Sequence, residues 1–475
     1  MTQEGAAVHA RLDGRLVLVG FGGVGQGVLP LLLRHLALDP SRITIFTAHE
    51  GGESFARSLG VADLRRVPLT RANYRDELLP LLDPGGFLLN LAFDVSSVAL
   101  IGLCRERDVP YLDSCIEPWA GGYTDLRLSA SQRSNYGLRE EALALRETPG
   151  HRPTCVLTQG INPGLVSQLI KPALLRMAAD TGLRREEPVT RLGWARLARD
   201  LGIRAIHVAE RDFQHALRPK APGEFVNTWS TEAFVGEGSQ PAELGWGSHE
   251  GELPPLGKRH AQGSGAAIYL ERPGVSVRVR SWTPLEGAFH GFLITHAESI
   301  SLADYLSIVE DGGVQYRPTV HYAYRPCDDA VLSIHEYCGR GYRLQERHRL
   351  LRDEIVAGLD EVGVLLCGNG RGVYWYGSRL DIGEARRLAP GNNATTLQTA
   401  AGVLAGVAWA LNNPGRGIVE PEDIDPKAAL AVAGQYLGEI LGQWGDWDPL
   451  QDRGRLFPEP VDPSDPWRFA NVLVT

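Results

Sequence analysis

The stretch RLVLVGFGGVGQGVLPLLL, Arg15–Leu33, decides the fold. Arg15–Gly20 is short and apolar and reads as a buried strand. Gly20, Phe21, Gly22, Gly23, Val24 and Gly25 then match G-x-G-x-x-G, and an apolar helix follows through Leu36. In a chain with 55 glycines, about one such match arises by chance. Its place between a strand and a helix gives this one weight. There the glycines let the backbone approach a pyrophosphate, whose charge meets the positive end of the helix. A tight, ligand-free turn in an α/β fold is the competing reading. Pro30 is expected to kink the helix or end a hydrogen-bonding register.

Outward from this stretch, Ile43–Phe46, Gly86–Ala92 and Pro110–Asp113 read as further buried strands. Helices are expected over Glu53–Leu59, Tyr74–Leu82 and Ser96–Arg107. That alternation predicts a Rossmann-type parallel sheet with right-handed crossovers. Past residue 150 the texture changes to longer loops carrying Trp, Gly and Pro. Strand-like runs recur at Ala266–Leu270, Val275–Val279 and Phe292–Thr295. Residues 398–412, QTAAGVLAGVAWALN, form a small-residue helix stopped by Asn-Pro-Gly. The Pro- and Asp-rich tail after Trp444 reads as wrapping a surface. The expected class is α/β. A dinucleotide-binding domain over 1–150 is followed by a mixed α+β substrate and dimerisation domain over 151–390, then by helices and tail over 391–475.

A glycine turn of this kind is ordinarily paired with an acid about twenty residues on, which takes the ribose hydroxyls. Here ITIFTAHE, Ile43–Glu50, puts Thr47 at that point. A missing acid often signals a 2′-phosphate, but the following segment offers only Arg57, and Glu50 would repel a phosphate. The electrostatics favour NAD over NADP. Thr47 is expected to contact the adenosine ribose through its hydroxyl, with Glu50 nearby.

Composition bounds the rest. A net charge of −9 with a pI near 5.8 argues against a nucleic-acid binder. Six scattered cysteines without a C-x-x-C pair predict neither a metal cluster nor a disulfide framework, and they suit a reducing cytoplasm. The polar opening MTQEGAAVHARLDG lacks the apolar core of a signal peptide, and no apolar run is expected to reach transmembrane length. A cytoplasmic protein with no membrane partner and no metal is expected.

Several segments combine carboxylates with tryptophan: CIEPWAGG (Glu117, Trp119), HVAERDFQ (Glu210, Asp212), VNTWSTEAFVGEG (Asn227, Trp229, Glu237) and LITHAES (His296, Glu298). AGLDEVGVLL adds Asp360 and Glu361. Carboxylates beside an indole face suit an ammonium ion, because charge pairing fixes each cationic end and the ring attracts it further. Taken singly, each residue has a bland reading: a solvated Glu, a packed Trp, and for His296, in an apolar strand, a hydrogen-bonded core histidine. Spacing alone does not bring the segments together.

Taken in order, GFGGVGQGVLPLL, NYRDELLPLL, DSCIEPW, INPGLVS, IHVAERDFQ, VNTWSTEAFVGEGSQPAELGWG and RVRSWTP resemble the bacterial homospermidine synthases. FLITHAESIS, YRPTVHYAYRPCDDAVLS, GVLLCGNGRGVYWYGS and SDPWRFANVLV continue the likeness over essentially the whole chain. NPG and NNPGRGIVEPEDI are more distantly similar to the saccharopine dehydrogenase-like group, in which the C-terminal helix packs back on the nucleotide domain.

The resemblance implies a synthase that uses NAD without net redox. Putrescine gives up hydride and becomes an imine, a second putrescine adds with loss of ammonia, and the same NADH reduces the product to sym-homospermidine. It implies that Glu210 and Asn162 handle the reacting amine and that Trp229 covers the cationic carbon. Glu117, Glu237 and His296 would hold the distal ammonium, and Asp360, in the loop-helix segment GLDEVG, with Glu361 one position away as the alternative, would serve an outer amine site. Thr70, Asn90, Asp94, Asp113 and the Asn162–Pro163 turn would line the nicotinamide ribose side. Cys115 is read as a small buried side chain near the cofactor. A homodimer is implied too, with spermidine and cadaverine as further candidate amines. The nearest rival is an NAD(P)-dependent dehydrogenase of a carboxylated secondary amine, of the saccharopine or carboxynorspermidine type. Its pocket would present Arg or Lys, whereas these segments present Glu and Trp, with Arg211 the main exception. A non-catalytic nucleotide sensor would leave the Glu and Trp set without a use.

Overall fold

The computed structural model describes residues 7–474; Met1–Ala6 of the polar opening and Thr475 lie outside the described residues. Leu16–Val19 is apolar throughout because both its faces are covered. Leu16 and Leu18 enter one apolar cluster, and Val17 and Val19 enter another on the opposite side. The strand is central to a parallel seven-stranded sheet. Its order is Ile418–Val419, Cys155–Val156, Tyr111–Asp113, Phe87–Asn90, Leu16–Val19, Ile43–Thr47 and Asp63–Arg66. Three of these escape a sequence reading: Cys155–Val156, a two-residue strand just past residue 150, and the first and last. Asp63–Arg66 is a charged edge strand, DLRR, without an apolar run. Ile418–Val419 is two residues long.

The glycine turn lies where this sheet meets helix Gly23–His35. Gly20 has φ +94°, and a Cβ there would stand 2.5 Å from the backbone of Leu91, so only glycine fits. The helix continues through Pro30 to His35, contrary to the expected break. Val28, Leu29, Leu31 and Leu32 around it are fully buried. Their packing outweighs the single hydrogen bond that proline forfeits.

Helix Ala394–Asn412 starts four residues earlier than the small-residue run suggests, at a capping box of Asn393 and Thr396. It is long and apolar enough by composition to cross a bilayer, which corrects the sequence expectation that no run reaches that length. In this fold most of that helix is buried inside the protein. The helix packs against Gly23–His35 and presses its glycines on the loop after Val156: a Cβ on Gly402 would lie 1.9 Å from the Gly160 carbonyl oxygen.

The second region builds a larger mixed sheet around strand Ala205–Asp212. This strand runs parallel to Thr319–Arg325 and antiparallel to Leu359–Cys367, with Val373–Asp381 and Glu439–Gly445 beyond. Alternation sorts its side chains. Ala205 and Ala209 join Trp375 and Trp447 on one face, while Ile206 and Val208 enter the large core that also holds Leu16 and Leu18. Glu210 and Asp212 share that second face, at the end of the strand, and so meet the nucleotide-binding sheet.

Three local expectations are corrected. Val275–Val279 is a short 3₁₀ turn, Gly274–Ser276, before strand Arg278–Thr283. The run at Phe292–Thr295 ends a strand at Phe292, and His296 caps helix Ala297–Tyr305 instead of lying in a strand. Asp360 and Glu361 sit in strand Leu359–Cys367, not in a loop leading to a helix. The C-terminal tail closes as strand Leu473–Val474 against Arg278–Thr283.

Gly402→Ala is expected to lower stability by about 1–3 kcal/mol, the usual cost of overpacking a closed core. Equilibrium urea unfolding measures this; an unchanged midpoint would contradict the close approach to Gly160.

Candidate active site

Between the two sheets lies one cavity of about 720 Å³. At one end are Gly20, Gly22, Gly23, Val24 and Gly25, with Thr47 and Thr70 along the wall. At the other end are Asn162, Glu210, Trp229, Glu117, Glu237 and His296, with Asp94 between. The segments that sequence spacing leaves apart do converge.

The glycine end fits a dinucleotide. Helix Gly23–His35 has no side-chain cap and no acid in its first turn, so its N–H groups face the cavity without a competing acceptor. A Cβ on Gly22 would meet nothing within 4 Å, which marks open space. At the ribose end, Thr47 forms a small turn with His49, whose backbone N–H donates to the Thr47 hydroxyl at 3.2 Å. Glu50 lines the cavity and is paired with Arg66 at 3.1 Å; Arg66 also donates to Glu53. The nearby basic residue is thus Arg66, from the strand missed in the sequence, and not Arg57. Its charge is already matched, so among the described residues the ribose end offers no free Lys or Arg for a 2′-phosphate.

The reacting end is organised on the face of the second sheet. Glu210 Oε2 accepts hydrogen bonds from Asn162 Nδ2 at 2.5 Å and from the Tyr322 hydroxyl at 2.7 Å. Burial raises the Glu210 carboxyl to about 7; those two donors pull it down, while Asp212 pushes it up. Tyr322 stays a proton donor, because burial and then the Glu210 charge hold its hydroxyl well above the usual phenol range. Trp229, in the loop between strand Glu224–Asn227 and helix Thr231–Ser239, donates its indole N–H to the Tyr324 hydroxyl at 3.3 Å. That bond holds the indole at the cavity wall.

Beyond Glu210 the site becomes a chain of carboxylates around one imidazole. His296 Nε2 lies 3.4 Å from Glu237, and Nδ1 lies 3.1 Å from Glu298. Burial alone would lower this imidazole, but Glu298 and Glu237 together raise it to about 10, so it is an imidazolium at neutral pH. Glu117 is pushed well up by burial and next by the Glu237 charge. Cys115 donates to Glu237 at 3.6 Å, and burial raises its thiol far from reactivity, in keeping with a packing role.

Four expected site residues stand outside the cavity lining. Asn90 donates to the Val95 carbonyl and to the Tyr111 hydroxyl, and Asp113 accepts from that hydroxyl at 2.8 Å and from Thr158 N–H at 2.6 Å. Both are buried braces across strand ends, occupied by the protein itself. Pro163 follows Asn162 across a cis bond and lines a small secondary cavity behind Glu117, Glu237 and His296. Asp360 is fully buried one layer back, where it accepts from Thr395 at 2.7 Å; Thr395 is the residue that reaches the cavity. Burial, then the charges of Glu210 and Asp212, hold Asp360 well above the usual carboxylate range. Glu361 is buried and paired with Arg379.

The sequence reading missed Tyr322, Tyr324 and Arg352, which also line the cavity. The tyrosines were legible in principle, since TVHYAYR places them two apart in a strand and therefore on one face. Arg352 carries no local signal.

Fold and cavity together define a dinucleotide-binding enzyme whose substrate end is anionic. The family model for the saccharopine dehydrogenase NADP binding domain matches residues 16–156, and that for the saccharopine dehydrogenase C-terminal domain matches 160–446. Homospermidine synthase of Blastochloris viridis is 51% identical over 98% of both chains. That of Mesorhizobium japonicum is 47% identical over 100% of this chain and 99% of its own. A crystal structure of homospermidine synthase from Legionella pneumophila in complex with NAD superposes with a TM-score of 0.90 at 46% identity, covering 98% of each chain. The chain belongs to the homospermidine synthases, within the saccharopine dehydrogenase family.

Glu298→Gln removes one of the two anions that hold the His296 proton. The imidazole is expected to fall from about 10 by roughly one to two pH units. NMR titration of the ring protons checks this, and an unmoved titration would contradict the assignment.

Proposed function

We propose that this chain makes sym-homospermidine from two molecules of putrescine, holding NAD throughout. The observation that carries the reading is that Glu210 and Trp229 both line the inner end of a cavity that begins at the glycine turn. Bound NAD supplies the hydride acceptor and, once reduced, the donor. Every other task falls to the protein.

An amine must shed its proton before it can donate electrons to a carbon. Glu210, buried and set near neutral pH, is suited to take that proton on its Oε1, which has no donor among the described residues. Asn162 and Tyr322 fix the carboxylate through Oε2 and limit its rotation. The Trp229 ring stabilises the iminium carbon by cation–π attraction, worth about 0.5–2 kcal/mol. Glu117 and Glu237 receive the distal ammonium, while the His296 imidazolium offsets part of their charge when the site is empty. Asp94, half-buried, lines the cavity between its two ends. Asp360 acts through Thr395 and sets its hydroxyl.

Carboxylates line the substrate end, and no Lys or Arg does so among the described residues. That pattern disfavours the rival dehydrogenase of a carboxylated amine. Two chains associating as a homodimer in the cytoplasm complete the proposal, with spermidine and cadaverine as further amines to try.

With putrescine and sub-stoichiometric NAD, mass spectrometry is expected to find homospermidine and ammonia with no build-up of absorbance at 340 nm. Accumulating NADH would instead favour the dehydrogenase. Glu210→Gln is expected to lose about 10²–10⁴-fold in turnover while keeping its nucleotide; wild-type turnover would remove Glu210 from the mechanism. Because protonation at about 7 disables the base, kcat/KM should fall on acidification below neutral pH and level off above it. That limb should vanish in the variant.

A further inference from the structure

The cavity gathers Glu117, Glu210 and Glu237 at one end and the glycine turn at the other, and among the described residues its wall contains a single arginine or lysine, Arg352. This residue comes from the second sheet's side of the molecule, just past strand Arg347–Leu350. It nevertheless reaches the first turn of helix Gly23–His35. Its Nη1 donates to Gln26 Oε1 at 3.0 Å, and Gln26 in turn donates to the Phe21 carbonyl at 2.9 Å. A Cβ placed on Gly23 would lie 3.8 Å from Arg352 Nη2.

Two further observations set Arg352 apart. Its backbone turn is held rigidly, because Arg386 Nη2 donates to the carbonyls of Arg352 and Asp353 at 3.0 Å and of Ile355 at 2.8 Å. Yet among the described residues its guanidinium has no carboxylate within ion-pair distance and its Nη2 has no acceptor. Half-burial pushes this guanidinium down from its ordinary range, with only Asp353 acting weakly the other way. A fixed, half-buried, unmatched cation over a glycine turn is unusual, since such a group is ordinarily paired.

We propose that Arg352 clamps the pyrophosphate of the bound dinucleotide from across the cavity, using Gln26 to aim its fork. The proposal rests on the cavity being an NAD site. It assigns to the second sheet's side a contact that would keep the cofactor in place between the oxidising and reducing halves of the reaction. Trp229 supports the same closure, since its carbonyl approaches the Gly23 Cβ position at 3.0 Å. The reacting end and the pyrophosphate end would therefore be gripped by one continuous surface.

The test reads nucleotide retention. Wild type, Arg352→Lys and Arg352→Gln are purified, and bound NAD is quantified after denaturing release. NADH dissociation is then followed by stopped-flow fluorescence against excess NAD. Arg352→Gln is expected to release NADH about 10–100-fold faster, as for loss of a charge-assisted hydrogen bond, and Arg352→Lys to fall between it and wild type. The KM for putrescine at saturating NAD should not change. Equal release rates in all three proteins, each with wild-type circular dichroism, overturn the proposal, as does a raised putrescine KM with unchanged release. A wild type that holds no NAD at all would sink both this inference and the reading beneath it, whereas a wild type that holds NAD as firmly as Arg352→Gln sinks the inference alone.

Discussion

Burying a carboxylate costs free energy unless it is hydrogen-bonded, paired or protonated, and this molecule is built around several that meet in one place. Glu210 is settled by Asn162 and Tyr322, and Glu237 shares the His296 proton with Glu298. Glu117 and Asp360 are pushed toward the neutral acid by burial and by their neighbours' charge. What remains is a deficit of positive charge, which a diamine with two ammonium ends fills. Recognition of the substrate and the strain of the empty site are thus one electrostatic fact.

The two sheets place that deficit where hydride transfer can use it. Alternation along Ala205–Asp212 puts Glu210 on the face that meets the nucleotide-binding sheet, and the loop after Val156 brings Asn162 across to it. Helix Ala394–Asn412 fixes the spacing, because Gly402 lets it settle on the Gly160 carbonyl. A larger side chain at that point would separate the elements that carry Asn162 and Glu210.

Much of this was legible in the sequence, for identifiable reasons. Leu16–Val19 and its glycine turn are local features, with apolar run, turn and helix set by adjacent residues. Likewise the Glu and Trp segments declared their chemistry, and the family likeness placed them in a single site. What escaped is non-local or offset by one layer. Asn90 and Asp113 have the right residue types but spend their polar atoms on Tyr111, and Asp360 lies one residue behind the cavity because it belongs to a strand and not to a loop. Arg352 enters from over three hundred residues beyond the turn it faces, a relation that no spacing rule encodes. His296 was misplaced because the apolar run before it outlasts its strand.

The parallel sheet has a consequence for how the protein is made. Its outermost strand, Ile418–Val419, and the helix that covers one face of its core leave the ribosome late, long after the glycine turn. Until then the first 150 residues display an uncovered apolar face, Val28 and Leu32 among it. The nucleotide-binding half therefore matures only after most of the second sheet has been synthesised, which couples the two in birth order as well as in space.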